Sequence, residues 1–453
     1  MSKKIQYSNV VKYLVTAICT EPLHIGSATG EKETVLLHPV DGKPFIQASS
    51  LAGVFRNYYE KRNGLKEMQE LFGVSELSEN SNASDYASRV SFSDGMFVNN
   101  VTLELRPRVK LNPMSGTCDT SIVSGTEESV GHKFQMEYIG AGAKVIFQVY
   151  LYDTKKREKL EEIFSAFSQG IVQIGGQKSN GCGYLQIEKL CLKEFNLKTK
   201  EGREDWADED SLQLEKYTDI TKKICEKRIV EDVYEFEIYG KTENELLVKS
   251  IAVTEYGENT PGCMNIQNAR KQYIVPATSL KGAIKSQMKK IAGYLQCESL
   301  ILEAFGTGKG KDTEGMAGCL RFYDTVIGKK EENDKKALSH RIHIDKFTGG
   351  VMHGSLFTEK NVFGNIHIRI GVKQCENRDK ICAILLMALR DLAIGTMSIG
   401  GGANVGKGII KVSSIQIEHP KEQVSAEIDL TTGTVTDETN VIGTYMKALQ
   451  SKK

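Results

Sequence analysis

The chain has 453 residues, 40% hydrophobic and 26% charged, with a formal net charge of +1. These values fit globular material of more than one domain, and near-neutrality excludes binding to nucleic acid through bulk charge; any such binding must come from local basic patches. No apolar run reaches the roughly 18 residues of a membrane helix, the N-terminus lacks the apolar core of a signal peptide, and the cysteines form no C-x-x-C pair, so a reduced cytoplasmic protein with no membrane contact, zinc site or disulfide framework is expected.

In chain order, the pattern predicts an opening strand (VVKYLVTAI) and a polar loop carrying Glu31, Glu33 and Asp41. A short strand then leads into the turn Ser50-Leu51-Ala52-Gly53 and a helix whose face is Leu51, Val54, Phe55, Tyr58 and Tyr59. Strands follow at RVSFSD and AKVIFQVYLYD, separated by a hairpin region. A helix (KREKLEEIFSAFSQG), a glycine loop (IGGQKSNGCGYL) and a closing strand complete the set. A polar stretch with Glu204, Asp205, Asp208, Glu209 and Asp210 reads as an exposed linker, onto which the single Trp206 adds a docking point.

The same grammar then recurs. VYEFEIYG opens it, Ser279-Leu280-Lys281-Gly282 starts a helix with Leu280, Ile284, Met288, Ile291 and Leu295 on one face, and CLRFYDTVI, NIHIRIGV, DKICAILLMALRDLA and IGGGANVGKGII follow in order. Matched residues are offset by 229 (Ser50 to Ser279), 233 (Arg108 to Arg341) and 225 (Gly175 to Gly400). Such a period is far beyond the roughly 20–50 residues of solenoid repeats and means two copies of a whole domain. Residues 1–196 and 230–420 are the copies, 197–229 the acidic linker, and 421–453 a tail ending in a short helix. Strand, helix, two strands, helix, strand is the ferredoxin-like order, so an α+β fold of two tandem βαββαβ domains is expected, each with an inserted hairpin. Ser50 and Ser279 stand where helix N-caps are favoured.

Gly401, Gly406 and Lys407 satisfy G-x-x-x-x-G-K, but Gly408 replaces the Mg²⁺-binding hydroxyl, a strand follows, and the other copy has Cys182 in place of the lysine. A nucleotide-binding P-loop is therefore excluded. Two readings remain: a tight helix-to-strand turn, or backbone N–H groups meeting phosphates with help from Lys178 or Lys407. Lys281, Lys285 and Lys289 share one helical face, with Arg56 and Lys61 in the matching region. His340, His343 and Asp345 in HRIHID suggest a metal set, but the first copy has Pro107, Lys110 and Asn112 there, which favours a plain surface strand. Loop acids (Glu31, Glu33, Asp41, Glu255, Glu258) are either solvated or able to orient a divalent metal.

The paired Ser-Leu-x-Gly turns, RIHIDKFTGGVMHGSLFTEKNVFG and the terminal glycine loops together resemble the RAMP superfamily of CRISPR-associated proteins, above all the repeated backbone subunits of type III effector complexes. The resemblance implies RNA-recognition-like domains stacked along a CRISPR RNA, with the inserted hairpins, Arg108–Phe134 and Arg341–Phe363, acting as thumbs that interrupt the guide–target duplex. It implies RNA contacts at Ser50, Arg56, Arg108, Lys110, Lys178, Ser279, Lys281, Lys285, Arg341, Lys346 and Lys407. CRISPR RNA, target RNA and other type III effector subunits are the implied partners in antiviral defence. Relatives that cut target RNA carry an aspartate before the Ser-Leu turn; here the count lands on Lys32 between Glu31 and Glu33, and near Pro261 in the second copy. An Mg²⁺-dependent endoribonuclease acting through Glu31 or Glu33 is thus an alternative, with Mg²⁺ needed only if cleavage occurs; a filament-capping subunit is another.

Overall fold

The computed structural model describes residues 7–26, 34–74, 87–109, 120–122, 129–131, 133–152, 154–208, 214–250, 262–307, 315–336 and 338–450. It divides into two compact units. The first comprises Met1–Glu104, Glu137–Lys178 and Cys182–Ile229; the second comprises Leu105–Met136, Ser179–Gly181 and Val230–Lys453.

The first unit is built from β1 (Asn9–Cys19), α1 (Ala48–Asn63), β2 (Val90–Phe92), β3 (Lys144–Leu151), α2 (Arg157–Ser168) and β4 (Leu185–Asn196). β1 pairs antiparallel with β3 and β4, and β2 pairs with β3, giving the order β4-β1-β3-β2. This is the ferredoxin-like arrangement. Alternation puts Val11, Tyr13, Val15 and Ala17 of β1 on the buried face. Onto that face α1 lays Leu51, Phe55 and Tyr59, spaced four apart, and α2 lays Leu160, Ile163, Phe164 and Phe167. Phe55 sits at the centre, with ring centroids of Phe92, Phe164 and Phe167 at 5.1, 5.5 and 5.7 Å.

Residues 197–229 do more than connect. Thr218–Asp219 pairs with β4 and shields that sheet edge. Ile220, Ile224 and Ile229 enter the first core. Trp206, on the helix Lys200–Ala207, meets Phe195 at 4.9 Å and Tyr150 at 5.8 Å. The segment is poor in apolar residues, but the few it has fall where they can be buried.

The second unit repeats the plan with β5 (Val233–Thr242), α3 (Ala277–Tyr294), β6 (Leu320–Phe322), β7 (Asn365–Lys373), α4 (Arg378–Ala393) and β8 (Ile410–His419). Its order is β8-β5-β7-β6. α3 buries Leu280, Ile284, Met288 and Ala292, whereas Leu295 falls past the helix end and is 40% exposed, so the expected stripe stops a turn early. The tail is integral: β9 (Val424–Asp429) and β10 (Thr434–Thr436) extend the sheet beyond β8, and α5 (Val441–Gln450) buries Tyr445 against Tyr234 at 5.7 Å. Between β6 and β7, Ser339–Ile344 and Val351–Lys360 form the expected inserted hairpin.

Candidate nucleic-acid interface

Neither serine of the repeated turn is an N-cap. Helices α1 and α3 begin at Ala48 and Ala277, their N-caps are Gln47 and Pro276, and neither cap residue supplies a side-chain hydrogen bond. Ser50 and Ser279 are each the third residue of the helix, their amides donating to Gln47 and Pro276 carbonyls at 2.9 Å. The capping comes from elsewhere. Asp94 Oδ1 accepts from the Ala48 N–H at 2.7 Å, and Asp324 Oδ1 accepts from the Ala277 N–H at 2.9 Å. Each aspartate follows the edge strand of its own repeat, and the matching strings SFSD and RFYD were the signal that could have found it. A carboxylate there meets an otherwise unsatisfied N–H and the positive helix end.

Behind the cap, α3 carries a basic ridge. Lys281 Nζ donates to Ser179 Oγ at 2.9 Å, and Lys285 Nζ lies 5.3 Å from the Phe305 ring centre. The pKa of Lys281 is pushed down to about 8 by burial and then by the charges of Lys285 and Arg108. Burial and the Lys289 charge lower that of Lys285. Among the described residues no carboxylate forms an ion pair with Lys281, Lys285 or Lys289. Uncompensated like charge held together by the fold favours an anionic ligand. In the first unit, the pKa of Lys178 is lowered by partial desolvation of its ammonium and by the charge of Lys61. Arg56 instead turns inward, its Nε–H donating to Met68 Sδ at 3.0 Å.

The glycine loops resolve in favour of backbone geometry. Gly183 and Gly408 have φ of +88° and +80°, and a Cβ on either would lie 2.0 Å from the Ile174 oxygen or 2.1 Å from the Ile399 oxygen. Only glycine fits. Their amides are committed as well: Gly183 and Gly408 donate to Pro22 and Glu245 carbonyls, and Gly176 and Gly401 donate to His24 and Leu247, all at 2.8 Å. These N–H groups therefore cannot form the phosphate cradle that was one of the two readings. Lys407 is also spent inside the unit, donating to Glu359 Oε2 at 2.7 Å and Asn361 Oδ1 at 3.0 Å.

The hairpin of the second copy is a ribbon with apolar side chains in solvent: Ile342, Ile344, Val351, Leu356 and Phe357 are exposed, and Phe347 near the turn is 98% exposed. Arg341 lies 3.6 Å from Glu359 and stays partly free, and Lys346 is exposed. The metal-like reading of HRIHID does not stand. Asp345 is taken up by the turn, accepting from the Phe347 and Thr348 amides at 3.0 and 2.7 Å, and His340 Nδ1 faces Thr358 Oγ1 at 3.3 Å. Asp41 caps a loop turn through the Lys43 amide. Glu31, Glu33, Lys110, Glu255, Glu258 and Pro261 lie outside the described residues. Asp232, His419 and Glu422 converge as a metal-like trio, but Lys421 and Arg378 already hold the Asp232 carboxyl far below its usual range, so the cluster is an ion-pair network.

Two ferredoxin-like domains in tandem, each with an Asp-capped first helix and a glycine-closed turn, define a two-domain α+β protein. The RAMP superfamily model matches residues 16–186 and 259–411, once in each copy, and the chain belongs to that superfamily. Among solved structures it is similar to a chain of a cryo-EM structure of the Type III-B Cmr-beta bound to cognate target RNA, at 17% identity and a TM-score of 0.30. That match covers 41% of this chain and 61% of the solved one. Curated proteins gave no match.

Proposed function

We propose that this protein is a backbone subunit of a type III CRISPR effector complex, binding CRISPR RNA with its two domains at consecutive positions along the guide. The observation that carries the reading is the basic ridge of α3, where Lys281, Lys285 and Lys289 share a face and form no ion pair with a described carboxylate, in a chain whose superfamily matches it twice. Cations fixed in this way bind phosphates regardless of sequence, leaving sequence to base pairing between guide and target. The exposed apolar side chains of the Ser339–Lys360 hairpin suit contact with unstacked bases. Ser50, Arg108, Lys178, Ser279, Lys281, Lys285, Arg341 and Lys346 form the proposed contact set. Arg56 joins it through its Nη groups, since only its Nε–H is engaged, whereas Lys407 leaves it because its ammonium is held by Glu359 and Asn361. Cleavage is not part of the proposal, because Glu31 and Glu33, on which it would rest, lie outside the described residues. The test is purification of the chain from cells expressing a CRISPR array: guide RNA should travel with the protein and be released by salt. RNA-free protein that shows no salt-sensitive binding to single-stranded RNA would overturn the reading.

A further inference from the structure

We propose that Asp94 is a docking point for an arginine carried on a strand of a neighbouring subunit; the partner's identity rests on the functional reading above. The second unit shows the finished version of this contact. There Asp324 serves two groups, with Oδ1 on the Ala277 N–H and Oδ2 at 2.7 Å from Arg106 Nη1. Arg106 lies on the strand Leu103–Val109, and the two side chains are only 8% and 12% exposed. The surface next to it is covered too: Gly181 approaches so closely that a Cβ would lie 2.5 Å from the Phe322 oxygen, and Lys281 reaches Ser179.

Asp94 occupies the same position in its own repeat and makes the same cap to the Ala48 N–H. Yet it is exposed, and among the described residues no lysine or arginine pairs with its carboxylate. One copy thus displays an acceptor that the other copy shows filled by a guanidinium. A carboxylate repels phosphate, so RNA is a poor occupant and a protein cation a good one. Guanidinium matches the planar carboxylate better than ammonium does. The glycine loop that lies beside this contact in the first copy is open in the second, where Gly406, the counterpart of Gly181, has nothing within 4 Å of a Cβ and Ala403–Val405 are exposed; Ser339 stands there in place of Arg106. Unlike surfaces left open on the two copies are what a head-to-tail contact requires.

The experiment is co-expression of the full chain with the other subunits of its complex and a guide RNA, carrying Asp94→Asn. Asparagine keeps the acceptor for the Ala48 N–H and removes the charge, so folding is preserved. We expect about tenfold weaker retention of one neighbouring subunit by native mass spectrometry, with an unchanged melting temperature and unchanged RNA affinity of the isolated chain. Wild-type retention would overturn the proposal. A photo-cross-linking residue at exposed position 47, next to the Ala48 N–H that Asp94 caps, keeps the carboxylate in place and should capture an arginine-bearing peptide of another protein subunit; an adduct to RNA, or none, would overturn it. Loss of RNA binding by the wild-type chain would sink the functional reading alone, since the cross-link reports docking independently.

Discussion

Lys407 Nζ lies 2.7 Å from Glu359 Oε2, and both side chains are buried within the second unit. Glu245 Oε2 stands 2.9 Å from the same ammonium, and Asn361 links them by donating to Glu245. Burial disfavours the charged forms of all three ionisable groups, yet the mutual attraction wins, raising the lysine and lowering both glutamates. A lysine whose sequence context invites a phosphate is thus a fastener between the glycine loop and the base of the hairpin.

Removing that fastener exposes the difference between a structural and a binding lysine. Lys407→Ala should destabilise the protein by roughly 3 kcal/mol, because two carboxylates lose their buried counter-charge. Chemical denaturation reads the loss. The slope of RNA affinity against salt should stay at the wild-type value.

The ridge should behave in the opposite way. Replacing Lys281, Lys285 and Lys289 together with alanine should leave the melting temperature within about 3 °C. The slope of log affinity against log salt for single-stranded RNA should fall by about 2, at roughly 0.7 per lost phosphate contact. Fluorescence anisotropy across a salt series measures both terms.

The ridge also links RNA binding to pH. Lys281 titrates near 8 in the free protein, and a bound phosphate favours its charged form. RNA binding should therefore take up protons around pH 8, and affinity should fall as pH rises through 8 to 9. Calorimetry in buffers of different ionisation enthalpy detects the uptake. Lys281→Arg should abolish it while keeping affinity.

A second titration bears on stability. Glu235, on the central strand β5, has its pKa pushed up to about 7 by burial, against the opposing charges of Arg321 and Arg369. The folded state holds its proton where the unfolded chain, with a carboxyl near 4.3, has lost it. Stability from this group is complete below about pH 4 and declines as pH rises to 7. Glu235→Gln should flatten that decline, which urea midpoints at pH 5 and pH 8 would show.

The glycine turns give a backbone test. Gly408→Ala and Gly183→Ala each force a Cβ to within about 2.1 Å of a carbonyl oxygen at positive φ. Each should cost at least about 2 kcal/mol or abolish soluble expression. Gly406→Ala, with open space around its Cβ, should cost only the strain of its φ of +79°, so melting temperatures should separate the three variants.

Periodicity and repetition made the fold legible before any coordinates. The four-residue spacing of Leu51, Phe55 and Tyr59, the alternation in β1 and β5, and the echo of one half in the other determine a doubled βαββαβ plan, since burial of one face per element depends only on local order. Local order could not say which partner each polar group meets. Ser50 and Ser279 have the residue type of a cap, but the helices start two residues earlier and aspartates 46 and 47 positions downstream complete them. Lys407 has the spacing of a phosphate ligand, and two distant glutamates claim it. Only tertiary structure brings such groups within 3 Å, and at that range Coulomb attraction and desolvation decide whether a charged side chain fastens the fold or stays available to a ligand.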